Sequence, residues 1–314
     1  MAAQIKLNSL NGQVAIVTGA GGGLGREYAI ALASYGTKVV VNDYGGSMAG
    51  ERGSVSRAQS VVDEIIACGG KALASGHDVS IKEEVEVMVA AAIAQFGTVH
   101  ILINNAGIPG MFGKENGEFA VDSGLFMRTI EIAALGTILC TSAVYPVMQA
   151  QKYGRILNTS SDTIYGFGMG GDGGYAASKG AVFALTRDLG RFSTRHGIKI
   201  NAIQPSASTR MADLDPNMKK VSDEFFALDK VAQFAIALCA EEVPVSGESF
   251  SAGAGRAART ALATFKGTNQ RSPEDYLEHF SEVMGEGQEV VVPGGCLEQV
   301  KFAIASATGK ELNL

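Results

Sequence analysis

The chain has 314 residues, is 46% hydrophobic and only 18% charged, and carries a net charge of −6, which argues against nucleic acid as its main partner. Its four cysteines (Cys68, Cys140, Cys239, Cys296) lie far apart and its histidines (His77, His100, His196, His279) lack ligand spacing, so neither disulfides nor a metal centre are expected. With no long apolar N-terminal run and no peroxisomal C-terminal signal, the expectation is a cytoplasmic protein that does not span a membrane.

The first predicted element is a strand over 14–18 that breaks into Gly19-Ala20-Gly21-Gly22-Gly23-Leu24-Gly25, followed by a helical pattern over 26–33. Missing Cβ atoms let such a turn approach a pyrophosphate, and the helix N-terminus behind it offers unpaired N–H groups. A second apolar strand over 38–42 ends at Asp43, where a dinucleotide fold places the acid that binds the adenosine ribose. A carboxylate repels a 2′-phosphate, so Asp43 argues for NAD. Arg26, Arg52 and Arg57 stand close enough in sequence that NADP is disfavoured rather than excluded.

Further strands at 71–76, 99–104, 154–160, 198–203 and 248–251 alternate with helical patterns. This predicts an α/β fold: a doubly wound parallel sheet, Rossmann-like, with about seven strands and helices on both faces. Asp78 follows the third strand at the edge where ligands bind, and serves equally well as a cap for a helix beginning near Ile81. The fourth strand ends in Asn104-Asn105-Ala106-Gly107. Ala106 and Gly107 let the backbone pass close to a cofactor, whereas Asn104 and Asn105 can tie strand ends together. After the fifth strand, Ser161 offers a hydroxyl to a reacting oxygen, or simply makes a turn. Tyr175 and Lys179 lie one helical turn apart on one face, and a cation there favours the phenolate needed to exchange a proton with an alcohol or ketone oxygen. An amphipathic helix with a buried tyrosine and a solvated lysine has the same spacing.

Taken in order, Thr18-Gly19-x-x-x-Gly23-x-Gly25, Asn104-Asn105-Ala106-Gly107, Ser160-Ser161 and Tyr175-x-x-x-Lys179 resemble the signatures of the short-chain dehydrogenase/reductase superfamily. The resemblance covers residues 12 to about 255. It implies Ser161, Tyr175 and Lys179 as the catalytic residues. It also implies cofactor contacts at Gly19, Gly22, Gly23, Leu24, Gly25, Asp43, Asp78, Val79, Asn104, Ala106, Gly107, Ala207 and Thr209, besides Tyr175 and Lys179. Three departures stand out. The Ser161–Tyr175 interval is one residue longer than usual, the extra length falling in the glycine-rich segment 166–174, which leaves Ser160 and Thr163 as fallback donors. Ala133 occupies the position where the family commonly has an asparagine that helps hold a water leading from the lysine. Pro205-Ser206-Ala207-Ser208-Thr209-Arg210-Met211 replaces the usual Pro-Gly.

That last loop, with Val41-Asn42-Asp43-Tyr44-Gly45-Gly46, Gln151-Lys152-Tyr153-Gly154-Arg155-Ile156 and Gly253-Ala254-Gly255, is similar to the dehydrogenase part of peroxisomal multifunctional enzyme type 2. The likeness implies NAD-dependent oxidation of (3R)-hydroxyacyl-CoA to 3-ketoacyl-CoA, and a homodimer or homotetramer. Met111, Phe112, Phe119, Phe126, Met211, Phe225 and Phe226 suit an apolar alcohol or ketone, so a hydroxysteroid or secondary-metabolite carbonyl is the alternative substrate. A cofactor-binding scaffold without catalysis would dispense with Tyr175, Lys179 or Ser161. All three are present, and only Ala133 speaks for such a scaffold. Domain boundaries are expected at 1–255 for the catalytic domain and 256–314 for an extension with a helix over 273–284 and a strand-like run over 289–292.

Overall fold

Aliphatic runs of four to six residues with no polar interruption make strands that are buried on both faces. The computed structural model describes residues 7–47, 49–109, 122–166, 173–208, 216–270 and 272–311. Its strands are β1 (Val14–Thr18), β2 (Lys38–Asn42), β3 (Ala72–Ser75), β4 (Ile101–Asn104), β5 (Gly154–Thr159), β6 (Ile198–Pro205), β7 (Ser249–Gly253) and β8 (Arg256–Thr260). They form one sheet in the order β3-β2-β1-β4-β5-β6-β7-β8, parallel from β3 to β7. The order reverses between β1 and β4, which opens a crevice at the carboxyl edge of those two strands.

Side chains alternate across the sheet, as the two-residue strand period requires. Ala15, Val17, Val39, Val41, Ile101 and Ile103 pack on one face against α1 (Gly23–Ser34), α2 (Ser56–Ala67) and α8 (Leu228–Cys239). Ile16, Val40, Leu102 and Ile156 pack on the other against α3 (Lys82–Phe96) and α5 (Gly136–Ala150). The long helix α6 (Gly173–Ser193) lies along β6, and α7 (Pro216–Phe225) precedes α8. Helix α4 (Ser123–Ile130) passes through a π-helical turn, Glu131–Leu135, into α5. The whole run Ser123–Ala150 is long and apolar enough to cross a membrane. Here Cys140, Val144 and Met148 are fully buried in one cluster with Ile156 and Ile198, so its apolarity serves the core.

The eighth strand exceeds the expected seven. Ala254 (φ 51°) and Gly255 (φ 77°) make a two-residue, positive-φ turn of the kind that reverses a chain into a hairpin, and it delivers β8 beside β7. By compactness the chain divides into Met1–Arg259 and Thr260–Leu314. In the second unit the helix expected over 273–284 is broken into α9 (Pro273–Glu278) and α10 (Phe280–Val283) at His279, which leaves helical geometry (φ −105°, ψ 25°). Its strand-like run reduces to one antiparallel bridge, Val291 with Thr264, and a further helix, α11 (Cys296–Thr308), follows.

Candidate active site

The glycine turn is built by close approach. A Cβ on Gly25 would stand 2.2 Å from the Gly19 carbonyl oxygen, and one on Gly19 would stand 2.9 Å from Ala106 Cα. Around it the ends of β1 and β4 are stitched together. Thr18 Oγ1 accepts from the amides of Asn105 (3.0 Å) and Ala106 (3.1 Å), and Asn105 Nδ2 donates to the carbonyls of Thr18 and Gly19. Gly22, the N-cap of α1, supplies no capping side chain to the first amides of the helix, and a Cβ there would meet nothing within 4 Å. Uncapped amides beside a space that only glycine leaves open suit an anionic pyrophosphate.

Asp43 joins this turn to the next connection: Oδ2 accepts from Gly21 N–H (2.9 Å) and Oδ1 from Gly45 N–H (2.7 Å). Each carboxylate oxygen keeps a lone pair for a ribose hydroxyl. Of the three arginines near it in sequence, Arg26 is bound to Glu27 and Glu64, and Arg52 is bound bidentately to Glu84. Arg57 lies beside the glycine turn, its Cβ 2.7 Å from where a Gly21 Cβ would be.

Four residues assigned to the cofactor by resemblance, Asp78, Val79, Asn104 and Leu24, point their side chains into the protein. Asp78 is buried, and its oxygens accept from Arg128 (2.7 Å) and from the amide and hydroxyl of Ser80 (2.9 and 2.6 Å). Burial raises its carboxyl pKa, but the bonds from Ser80 and Arg128 outweigh that and hold it below the usual range. Asp78 does not cap α3, whose N-cap is Ile81 with no side-chain bond; it shapes the turn before that helix. Val79 is buried against the start of α5, where a Cβ on Gly136 would stand 2.8 Å from its Cγ2. Asn104 uses its amide on Asn158 (2.9 Å) and Thr141 (3.3 Å), so it is a strand-to-helix tie. Leu24 is likewise in the core, leaving its backbone to face the turn.

At the reacting end, Lys179 is 3% exposed, and its Nζ donates to the Thr159 carbonyl (2.8 Å) at the end of β5. The ammonium stands 5.5 Å from the centroid of the half-buried Tyr175 ring and 3.4 Å from where a Gly107 Cβ would lie. Burial pulls the Lys179 pKa down to about 8. Ser161 is the N-cap of the 3-10 turn Asp162–Tyr165, its Oγ accepting from Thr163 N–H (3.2 Å), which leaves the hydroxyl proton to donate elsewhere. The fallback Ser160 is withdrawn: it is buried, and its hydroxyl donates to the Lys179 carbonyl (2.9 Å). Thr163 Oγ1 is buried without a partner. Ala133 lies in the π-helical turn, and its carbonyl accepts from Thr137 Oγ1 (2.7 Å).

Sequence reasoning did not single out Asp162, next to Ser161. Its Oδ2 accepts from Ser251 in β7 (3.1 Å), its Oδ1 is buried without a partner, and burial raises its pKa. Ala207 is partly buried against the core. Thr209, the pocket residues Met111, Phe112, Phe119 and Met211, and most of the glycine-rich segment lie outside the described residues.

A doubly wound sheet with a glycine turn and strand-end acid at one end of its crevice, and a buried lysine one turn from a tyrosine at the other, defines a nicotinamide-dinucleotide-dependent oxidoreductase. The model of the short chain dehydrogenase family matches residues 13–219, and the chain belongs to that family of oxidoreductases, which use NAD(P). It is 37% identical over 250 residues to the peroxisomal hydratase-dehydrogenase-epimerase of Saccharomyces cerevisiae, covering 79% of this chain and 26% of the relative. To the peroxisomal multifunctional enzyme type 2 of Drosophila melanogaster it is 35% identical, covering 84% of this chain and 43% of the relative. The chain thus spans less than half the length of these relatives. Among solved structures it resembles a 7 alpha-hydroxysteroid dehydrogenase complexed with NADH and 7-oxo glycochenodeoxycholic acid, with a TM-score of 0.70 and 27% identity over 82% of this chain and 99% of the other.

Proposed function

We propose that the chain oxidises (3R)-hydroxyacyl-CoA to 3-ketoacyl-CoA with NAD, using Tyr175 as acid–base, Lys179 as its electrostatic partner and Ser161 as donor to the reacting oxygen. The observation that carries the chemistry is the buried Lys179 ammonium, held by Thr159 one helical turn from Tyr175. Low-dielectric surroundings strengthen its pull on the phenolate, so Tyr175 can take a proton from an alcohol near neutral pH. Ser161 hydrogen-bonds the same oxygen as charge develops on it. When bound, the nicotinamide dinucleotide accepts or donates the hydride. Gly22 and the first amides of α1 would hold its pyrophosphate, Asp43 its adenosine ribose, and Lys179 its nicotinamide ribose. Asp43 supports NAD over NADP, since its carboxylate repels a 2′-phosphate, and two of the three nearby arginines, Arg26 and Arg52, are engaged by glutamates.

Likeness to the dehydrogenase part of peroxisomal multifunctional enzyme type 2 supports the acyl-CoA substrate, and the likeness to a hydroxysteroid dehydrogenase supports a second reading, a steroid alcohol. Initial rates with (3R)- and (3S)-hydroxyacyl-CoA, a 7-hydroxysteroid and a simple secondary alcohol, each with NAD and NADP, decide between them. The expected order puts the (3R)-thioester with NAD first in kcat/KM. A steroid turned over more efficiently than either thioester would replace the substrate assignment, and a preference for NADP would replace the cofactor assignment. We infer that the working form is a homodimer or homotetramer, as is common in the family.

A further inference from the structure

The connection after β2 closes on itself beside Asp43. A Cβ on Gly45 would stand 1.9 Å from the Ser54 carbonyl oxygen, and one on Gly53 would stand 1.9 Å from the Gly45 carbonyl oxygen, so the two limbs meet backbone to backbone. Tyr44 Oη donates across the loop to the Gly50 carbonyl (2.5 Å), and Asp43 accepts from Gly45 N–H at its base. Two arginines then fasten this loop to the turn after β3. Arg52, on the loop, is bidentate to Glu84 in α3, and Glu84 in turn accepts from Asp78 N–H (2.7 Å). Arg128 reaches in from α4. It donates to Asp78 Oδ2 (2.7 Å), Ser80 Oγ (2.7 Å), Tyr44 Oη (3.3 Å) and the Gly50 carbonyl (3.4 Å), with Glu131 at 3.5 Å.

These two fastenings are not equal. The Arg52 side chain is 60% exposed, and such pairs contribute little. Arg128 and Asp78 are 24% and 9% exposed, and one guanidinium donates to four groups on the two connections, after β2 and after β3, at once. Gly50 packs so closely on it that a Cβ there would stand 3.0 Å from Arg128 Cγ and 3.1 Å from Ile132 Cδ1. The signature motifs of the sequence do not include Arg128.

We infer that Arg128 is a positioning residue for the adenosine half of the dinucleotide, holding the loop after Asp43 closed against the Asp78 turn so that the Asp43 carboxylate keeps the geometry an adenosine ribose requires. The inference rests on the cofactor assignment of Asp43. Arg128 acts from α4, on the helical run that continues through Ala133, so the adenosine end of the crevice is tied to the helix flanking its reacting end.

Calorimetric binding of AMP and of NAD to the wild-type chain, Arg128→Met and Arg128→Lys tests it, with hydrogen exchange read at the amides of residues 45–54. Arg128→Met is expected to weaken AMP and NAD alike by about tenfold and to speed exchange in the loop. It should raise the KM for NAD while changing kcat by less than about twofold. Arg128→Lys, keeping the charge but not the fork, should fall between. Should Arg128→Met fail to fold, Tyr44→Phe removes two bonds of the same cluster and is expected to weaken AMP about threefold. Folded variants that bind AMP within about twofold of wild type, or that lose kcat with AMP binding unchanged, overturn the inference. Failure of the wild-type chain to bind AMP or NAD at all would instead overturn the cofactor assignment beneath it.

Discussion

Burying an ammonium group costs several kcal/mol unless its hydrogen bonds and partner charges repay it, and Lys179 has one carbonyl partner at 2.8 Å in a pocket where it is 3% exposed. Its folded pKa, about 8, lies below the ordinary lysine value. Below pH 8 both folded and unfolded chains hold this proton, and the folded state bears the full cost of the buried charge. From about pH 8 to about 10.4 the unfolded chain holds more of the proton, so the cost is relieved as pH rises. Lys179→Met is therefore expected to stabilise the fold at pH 7 by roughly 1–3 kcal/mol in urea unfolding, with the gain shrinking towards pH 10. A gain that does not vary with pH would contradict the buried-cation account. The Tyr-x-x-x-Lys spacing was visible in the sequence. The burial of its lysine was not, because it depends on Thr159 and Gly107 arriving from β5 and β4.

Two glycines of the first turn separate folding from binding. Gly25→Ala places a methyl 2.2 Å from the Gly19 carbonyl and should lower both Tm and NAD affinity. Gly22→Ala meets open space, at an extended φ of −179° that alanine adopts freely. It should leave Tm within a few degrees while weakening NAD at least tenfold by fluorescence titration, on the order of 1.4 kcal/mol. Unchanged NAD affinity in Gly22→Ala would remove the pyrophosphate from that space.

At the scale of elements, the π-helical turn Glu131–Leu135 carries Ala133 where the family resemblance leads one to expect an asparagine, and Thr137 binds the Ala133 carbonyl. A proton path along that helix must use backbone or another side chain. Ala133→Asn is expected to shift the pH profile of kcat/KM and its solvent isotope effect while leaving turnover measurable; unchanged values would count against a relay there. Strands such as β1, β2 and β4 were legible because their aliphatic runs have no competing period, whereas β7, Ser-Phe-Ser-Ala-Gly, has no such run. The eighth, Arg-Ala-Ala-Arg-Thr, has no apolar run and is made by the Ala254-Gly255 turn that precedes it. The break at His279 was equally hidden, since Ser272 and Pro273 announce where a helix starts but no residue announces where it stops.

Across the whole molecule, β1, β2 and β4 deliver the glycine turn, Asp43 and Gly107 to one edge of the sheet, and β5 with α6 delivers Ser161, Lys179 and Tyr175 to the same edge. That shared edge follows from parallel strands, so the ordered motifs already implied the site. Side-chain direction did not follow: Asp78, Val79 and Asn104 occupy the expected positions yet spend their side chains on Arg128, Gly136 and Asn158. Short motifs give a position along a strand, while the partner across the crevice comes from elsewhere in the chain. The most direct measurement is made on Tyr175→Phe, following NAD binding by titration and NADH formation from (3R)-hydroxyacyl-CoA by absorbance in one preparation. Binding within about threefold of wild type with kcat reduced at least 10²-fold is the predicted result. Turnover within about tenfold of wild type would contradict Tyr175 as the group that carries the proton.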